Sequence, residues 1–113
     1  MEKAIVYVRT DFWGAMAVQD LLAQEKRCLA YAEANGLKVA KVFRELPWKR
    51  KKGTQILEAQ KYVEQNAGKI DTLIVYRPRN LARFKPDFIS RIAGFRSLGL
   101  KVSIVIYQNK SKV

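Results

Sequence analysis

Ala4-Ile5-Val6-Tyr7-Val8-Arg9-Thr10-Asp11 is an apolar run that breaks abruptly into a guanidinium, a hydroxyl and a carboxylate. Five apolar residues in succession, without alternation, suit a strand buried on both faces, as in a parallel sheet with helices above and below. Charged residues delivered at the carboxyl end of such a strand stand where an open α/β sheet usually keeps its chemistry.

Outward from this stretch, strand and helix alternate. Residues 9–17 read as a loop containing Asp11 and Gly14. From about Val18 the apolar positions Val18, Leu21, Leu22, Cys28, Leu29 and Ala32 recur at helical spacing, and Asn35-Gly36 supplies the stop. Leu37 to Phe43 alternates and predicts a second strand near the sheet edge, followed by a basic loop from Arg44 to Gly53 with the run Lys49-Arg50-Lys51-Lys52. Ile56, Ala59, Gln60 and Val63 mark a second helix, ended by residues 66–68. Asp71 to Tyr76 is a third strand, apolar from Leu73 onward, that opens into Arg77-Pro-Arg-Asn-Leu-Ala-Arg83, a loop with three arginines. Pro86 suits the first turn of a third helix striped by Phe88, Ile89, Ile92 and Phe95, and Lys101 to Tyr107 reads as a fourth strand before a basic tail.

Strands separated by helices demand crossover connections and a mostly parallel sheet covered on both faces. With the first strand central and its neighbours wound in opposite directions, the crevice lies between the carboxyl ends of strands one and three. That arrangement brings residues 9–11 beside residues 77–83, with Lys49 to Lys52 nearby. A phosphate or phosphodiester is the anion such a place invites. No Walker-type loop or G-x-G-x-x-G follows any strand, so nucleotide binding by those devices is not indicated.

Composition narrows the classes. The 113 residues suit one domain, and half are apolar, enough to fold. Twenty-two Lys and Arg against ten Asp and Glu leave a formal charge of +12, a field that attracts polyanions, nucleic acid first. Histidine is absent and Cys28 is the only cysteine, which removes imidazole chemistry, intrachain disulfides and thiolate metal clusters. Cys28 falls in an apolar helical stripe and reads as a buried thiol. No metal or cofactor is expected. The N-terminus lacks a signal-peptide pattern and no apolar run approaches a membrane span, so a cytoplasmic protein without membrane partners is expected.

The residues also carry a resemblance. Tyr7-Val-Arg9, Asp20-Leu-Leu-Ala-Gln24, Tyr31-Ala-Glu-Ala-Asn-Gly36, and Ile70-Asp-Thr-Leu-Ile-Val-Tyr76 followed by Leu81-Ala-Arg83, in this order and spacing, resemble the catalytic domain of serine recombinases, the resolvase and invertase family. The likeness runs from about residue 3 to residue 107. It implies a flavodoxin-like three-layer α/β domain, with a mostly parallel four-stranded sheet and helices on both faces, occupying residues 1–113 as a single domain. Members of that family continue into a long helix and a separate DNA-binding domain; no C-terminal DNA-binding domain is expected within residues 1–113. In that family a serine just after the first strand attacks a DNA phosphodiester without metal, while arginines and an aspartate hold the phosphate; guanidinium suits this because it binds phosphate oxygens bidentately and stays charged.

Several positions depart from the family pattern. Where Tyr-x-Arg-x-Ser is usual the chain has Tyr7-Val-Arg9-Thr10-Asp11, and Ser90 is its first serine. Where Asp-Arg-Leu-x-Arg is usual it has Arg79-Asn80-Leu81-Ala82-Arg83. Arg9, Gln24 and Arg83 keep the pattern; Asp11, Arg79 and Asn80 occupy altered catalytic positions. Thr10 is a poor substitute for the serine because adjacent strand residues face opposite ways. The resemblance therefore implies a domain of a DNA recombination system that has lost its nucleophile. It would associate with DNA without sequence preference through Arg44, Lys49, Arg50, Lys51, Lys52 and Arg77, or serve a regulatory or assembly role with a full-length recombinase or with itself. The alternatives are an active strand-exchange recombinase and a basic RNA- or protein-interaction module.

Overall fold

The computed structural model describes residues 2–46, 54–82 and 85–106. Its elements run β1 (Lys3–Arg9), α1 (Gly14–Ala34), β2 (Lys38–Glu45), α2 (Thr54–Gln65), β3 (Thr72–Val75), a 3-10 turn (Pro78–Asn80), α3 (Lys85–Ser97) and β4 (Lys101–Ile104). The four strands form one sheet in the order β2-β1-β3-β4, every neighbouring pair parallel. β2 is an edge strand, as its half-polar sequence implies, and the order reverses between β1 and β3.

Both central strands are sandwiched, which explains their unbroken apolar runs. Ala4, Val6 and Val8 of β1 and Ile74 of β3 pack against Leu21, Cys28 and Ala32 of α1. On the opposite face Ile5, Tyr7, Leu73 and Val75 meet Ile56, Ala59 and Val63 of α2 and Phe95 of α3. α1 thus forms one outer layer and α2 with α3 the other. No described helix is long and apolar enough to cross a membrane.

Several expectations need correction. α1 begins at Gly14, not near Val18, so the loop after β1 is only residues 10–13. Gly14 marks a turn and not a continuing loop: its φ of 61° swings the chain straight from extended Trp13 into the helix. Its inward face is Ala17, Leu21, Gln24, Cys28 and Ala32, whereas Val18, Leu22 and Leu29 are exposed. The stripe read from the sequence merged two faces of a helix that is apolar around much of its girth. The third helix behaves alike: Phe95 is buried, Phe88 and Ile92 pack beside it, and Ile89 faces out.

β2 extends to Glu45, so Arg44 belongs to a strand and not to a loop. Its alternation is interrupted because Ala4 pairs with Val39 and Ile5 with Lys41, leaving Ala40 as an extra residue. After this bulge Val42 still faces α1, Phe43 and Glu45 face α2, and Arg44, exposed, lies on the α1 side. The segment after β3 is not plain loop, because Pro78–Asn80 closes a 3-10 turn. β4 ends at Ile104, and Tyr107 lies outside the described residues.

Candidate nucleic-acid interface

The carboxyl ends of β1 and β3 bring two short segments together. β1 ends in Arg9; Thr10 then turns the chain, its hydroxyl accepting the Phe12 amide at 3.1 Å while its own amide donates to the Glu45 carbonyl at 3.4 Å. Thr10 is buried and committed to this turn, so its oxygen is not offered to a ligand. β3 leads through Arg77 into the 3-10 turn, where Pro78 fixes the first helical φ.

Between these segments lies an ion cluster. The Asp11 carboxylate stands 3.8 Å from Nη2 of Arg9 and 3.4 Å from Nε of Arg79. All three side chains are a third to a half exposed or more, so the pairs add little stability. Their electrostatic effect is local: one carboxylate between two guanidiniums leaves a single net positive charge at the rim.

A buried polar network supports the cluster from below. Gln24 of α1 donates from Nε2 to the Arg9 carbonyl at 2.8 Å and to Oδ2 of Asp20 at 2.9 Å. Its Oε1 accepts the Arg9 amide at 3.4 Å and Nδ2 of Asn80 at 2.9 Å. Every donor and acceptor of this amide is therefore used. Gln24 and Asn80 are both buried, so they set the position of Arg9 and of the 3-10 turn and do not themselves face solvent.

Arg77 lies with its guanidinium 5.7 Å from the Tyr76 ring centroid, and its buried Nε has no hydrogen-bond partner among the described residues. Arg44, expected to take nucleic acid, pairs through Nε with Glu25 of α1 at 2.7 Å and remains half exposed. Lys49, Arg50, Lys51, Lys52 and Arg83 lie outside the described residues.

Sequence reasoning missed Glu45 and the wall supplied by α3. Glu45 is buried at the end of β2, its Oε1 accepting the Tyr7 hydroxyl at 3.4 Å and the Gln55 amide at 2.9 Å, so it caps the start of α2. Burial, and then the Glu45 carboxylate, hold the Tyr7 phenol well above its usual range against the opposing pull of Arg9 and Arg91. The signal was the Phe43, Glu45 alternation, obscured by reading Arg44 onward as loop. A cleft of about 440 Å³ opens beside Arg9, lined by Gln60, Leu81, Ala82, Asp87, Ser90 and Arg91. Asp87, Ser90 and Arg91 are three and four residues apart on α3, the spacing that puts side chains on one face. A second cleft of about 490 Å³ is lined by Tyr76, Arg77, Pro78, Arg79 and Ile106. No cluster of three potential metal ligands occurs among the described residues.

This architecture has clear relatives. The family described as Resolvase, N terminal domain, matches residues 4–112, and the chain belongs to that family. Among solved structures it is similar to the C-terminal catalytic domain of ISC1926 TnpA, an IS607-like serine recombinase, with 24% identity and a TM-score of 0.76 over 92% of this chain and 67% of that one. A resolvase family site-specific recombinase from Streptococcus pneumoniae superposes with a TM-score of 0.81 at 18% identity, covering 93% of this chain and 72% of that one. The N-terminal catalytic domain of TP901-1 integrase gives a TM-score of 0.72 at 19% identity, over 92% and 77% of the two chains. At these identities the likeness is one of fold. No curated protein sequence matches the chain.

Proposed function

We propose that this resolvase-family domain serves a DNA recombination system by associating with the phosphate backbone, and that position 11 carries out no strand cleavage. The observation that carries this reading is the Asp11 carboxylate, which stands where the family resemblance leads one to expect a serine and lies between Arg9 and Arg79. A carboxylate there acts as an internal counter-ion for the guanidiniums. As a nucleophile it would form an acyl phosphate, which is prone to hydrolysis and does not conserve the bond for religation. The +12 charge supports a polyanionic partner, and Arg9, Arg77 and Arg79 at the sheet's carboxyl rim, with the basic segments at Lys49–Lys52 and Arg83, are the phosphate ligands of this reading.

Titration of unrelated duplexes by fluorescence anisotropy at several salt concentrations tests it. Binding through phosphates releases counter-ions, so log affinity falls linearly with log salt at a slope of about −0.9 per phosphate neutralised. Equal affinity for unrelated sequences with such a slope supports the proposal. Affinity that ignores salt, or no binding at low salt, overturns it.

One observation favours a second reading, an active strand-transfer protein. Ser90 lines the cleft with Arg9 and Arg91, and Asp87 stands one turn earlier on the same helix. A hydroxyl beside two cations and a carboxylate has the makings of a nucleophile. This reading predicts a covalent protein–DNA adduct that Ser90→Ala abolishes.

A further inference from the structure

The turn that carries Asp11 also presents two aromatic rings. Phe12 and Trp13 follow it directly and are 45% and 64% exposed, in a chain whose Tyr7 and Phe95 are sequestered almost completely. Their placement is built: the Thr10 hydroxyl holds the Phe12 amide, Trp13 is extended at the start of α1, and Gly14 turns the backbone. The adjoining Asp11 binds Arg79, which also lines the cleft with Tyr76 and Arg77. Aromatic faces and guanidiniums thus share one rim of the sheet.

We propose that Phe12 and Trp13 are a stacking platform for unpaired bases, with Arg9, Arg79 and Arg77 taking the phosphates of the same strand. The inference rests on the reading that this rim meets nucleic acid, and goes beyond it by naming the substrate class as single-stranded or locally unpaired. Duplex backbone offers cations only phosphates, and its stacked bases leave nothing for an exposed ring to cover. Unpaired strands offer both, and stacking on an aromatic side chain is tolerant of sequence because every base has a π face. Each stacked base is worth about five- to 150-fold in affinity.

The test uses the whole chain with Trp48→Phe, so that Trp13 is the sole indole, titrated with oligothymidine, oligouridine and a blunt duplex. The expected result is quenching of Trp13 emission by the single strands and tighter binding to them than to the duplex. Phe12→Ala with Trp13→Ala should then cost at least about fivefold in single-strand affinity and leave duplex affinity within twofold, while Trp13→Tyr retains most of the binding. Both positions are exposed, and circular dichroism checks that the fold persists. Unchanged single-strand affinity in the double alanine variant, or bound oligothymidine without quenching, overturns the platform while duplex binding leaves the phosphate reading standing. Loss of a concentration-dependent self-association in that variant, without an effect on strand binding, assigns the rings to a protein contact and also overturns it. Absence of binding to all three probes removes both the platform and the reading beneath it.

Discussion

Asn80 Nδ2 donates to Gln24 Oε1 across 2.9 Å, out of solvent, and so joins the turn after β3 to the middle of α1. The same glutamine holds both the amide and the carbonyl of Arg9. A buried amide with every hydrogen bond made fixes where the two guanidinium-bearing segments meet, and the cost of disturbing it follows from the groups it would orphan.

Gln24→Leu leaves the Asn80 amide and the Arg9 carbonyl without partners, and Asn80→Leu frees one acceptor site on Gln24. Each should lower stability by about 1–3 kcal/mol in urea denaturation. The double variant should lose less than the sum, by about 0.5 kcal/mol or more, because the partners are in contact. Strict additivity would mean that the pair is not coupled.

Asp11→Asn removes the internal counter-ion while keeping the side chain's shape. Arg9 and Arg79 then face an incoming phosphate without competition, and affinity for duplex should rise about two- to fivefold at low salt, the range set by an exposed ion pair. The gain should shrink as salt is raised. An unchanged or weaker affinity in anisotropy titrations would place phosphate binding away from this cluster.

Cys28 is buried under the sheet, and that burial, followed by the nearby Glu25 carboxylate, pushes its thiol from the ordinary 9.0 up to about 12. The folded state therefore keeps the proton that the unfolded chain gives up. The resulting stability is complete below pH about 9 and is lost as pH climbs toward about 12, with Tyr7 contributing in the same direction. Thermal melts from pH 8 to pH 11 should show falling Tm, less steeply in Cys28→Ala. A thiol reagent at pH 8 should modify Cys28 only after denaturant is added; rapid labelling of the native protein would contradict its burial.

Glu45→Ala removes the acceptor that caps α2 at Gln55 and meets the Tyr7 hydroxyl. Loss of the cap should cost about 1 kcal/mol in urea denaturation. Glu45→Gln, which keeps an acceptor oxygen, should retain most of that stability. Equal losses in the two variants would show that the carboxylate's charge, and not its capping bond, matters.

The central strands were legible because burial on both faces removes alternation, so Ala4 to Val8 and Leu73 to Val75 could be little else. The connections called for parallel strands, and taking β1 as central then placed residues 9–11 beside residues 77–80, which the order β2-β1-β3-β4 bears out. α1 was harder: Val18, Leu22 and Leu29 face out while Gln24 faces in, so hydrophobicity misassigns its faces. Only the family resemblance singled out Gln24, since an inward amide is stabilised by partners that no local pattern displays. Glu45 was hidden because the bulge at Ala40 broke the alternation of β2, and the residues from Arg44 onward then read as loop. Ser90 and Arg91 share a face with Asp87, but their approach to Arg9 depends on how α3 packs, a tertiary fact without a local signature.

The central claim is that the chain holds DNA without cutting it. The most direct measurement incubates the wild-type protein with supercoiled plasmid, then compares a native gel with a denaturing one. A shifted but still supercoiled plasmid is expected on the first, and neither nicks nor protein-linked strands on the second. A covalent adduct from the wild-type protein, whether lost in Asp11→Asn or in Ser90→Ala, would contradict it.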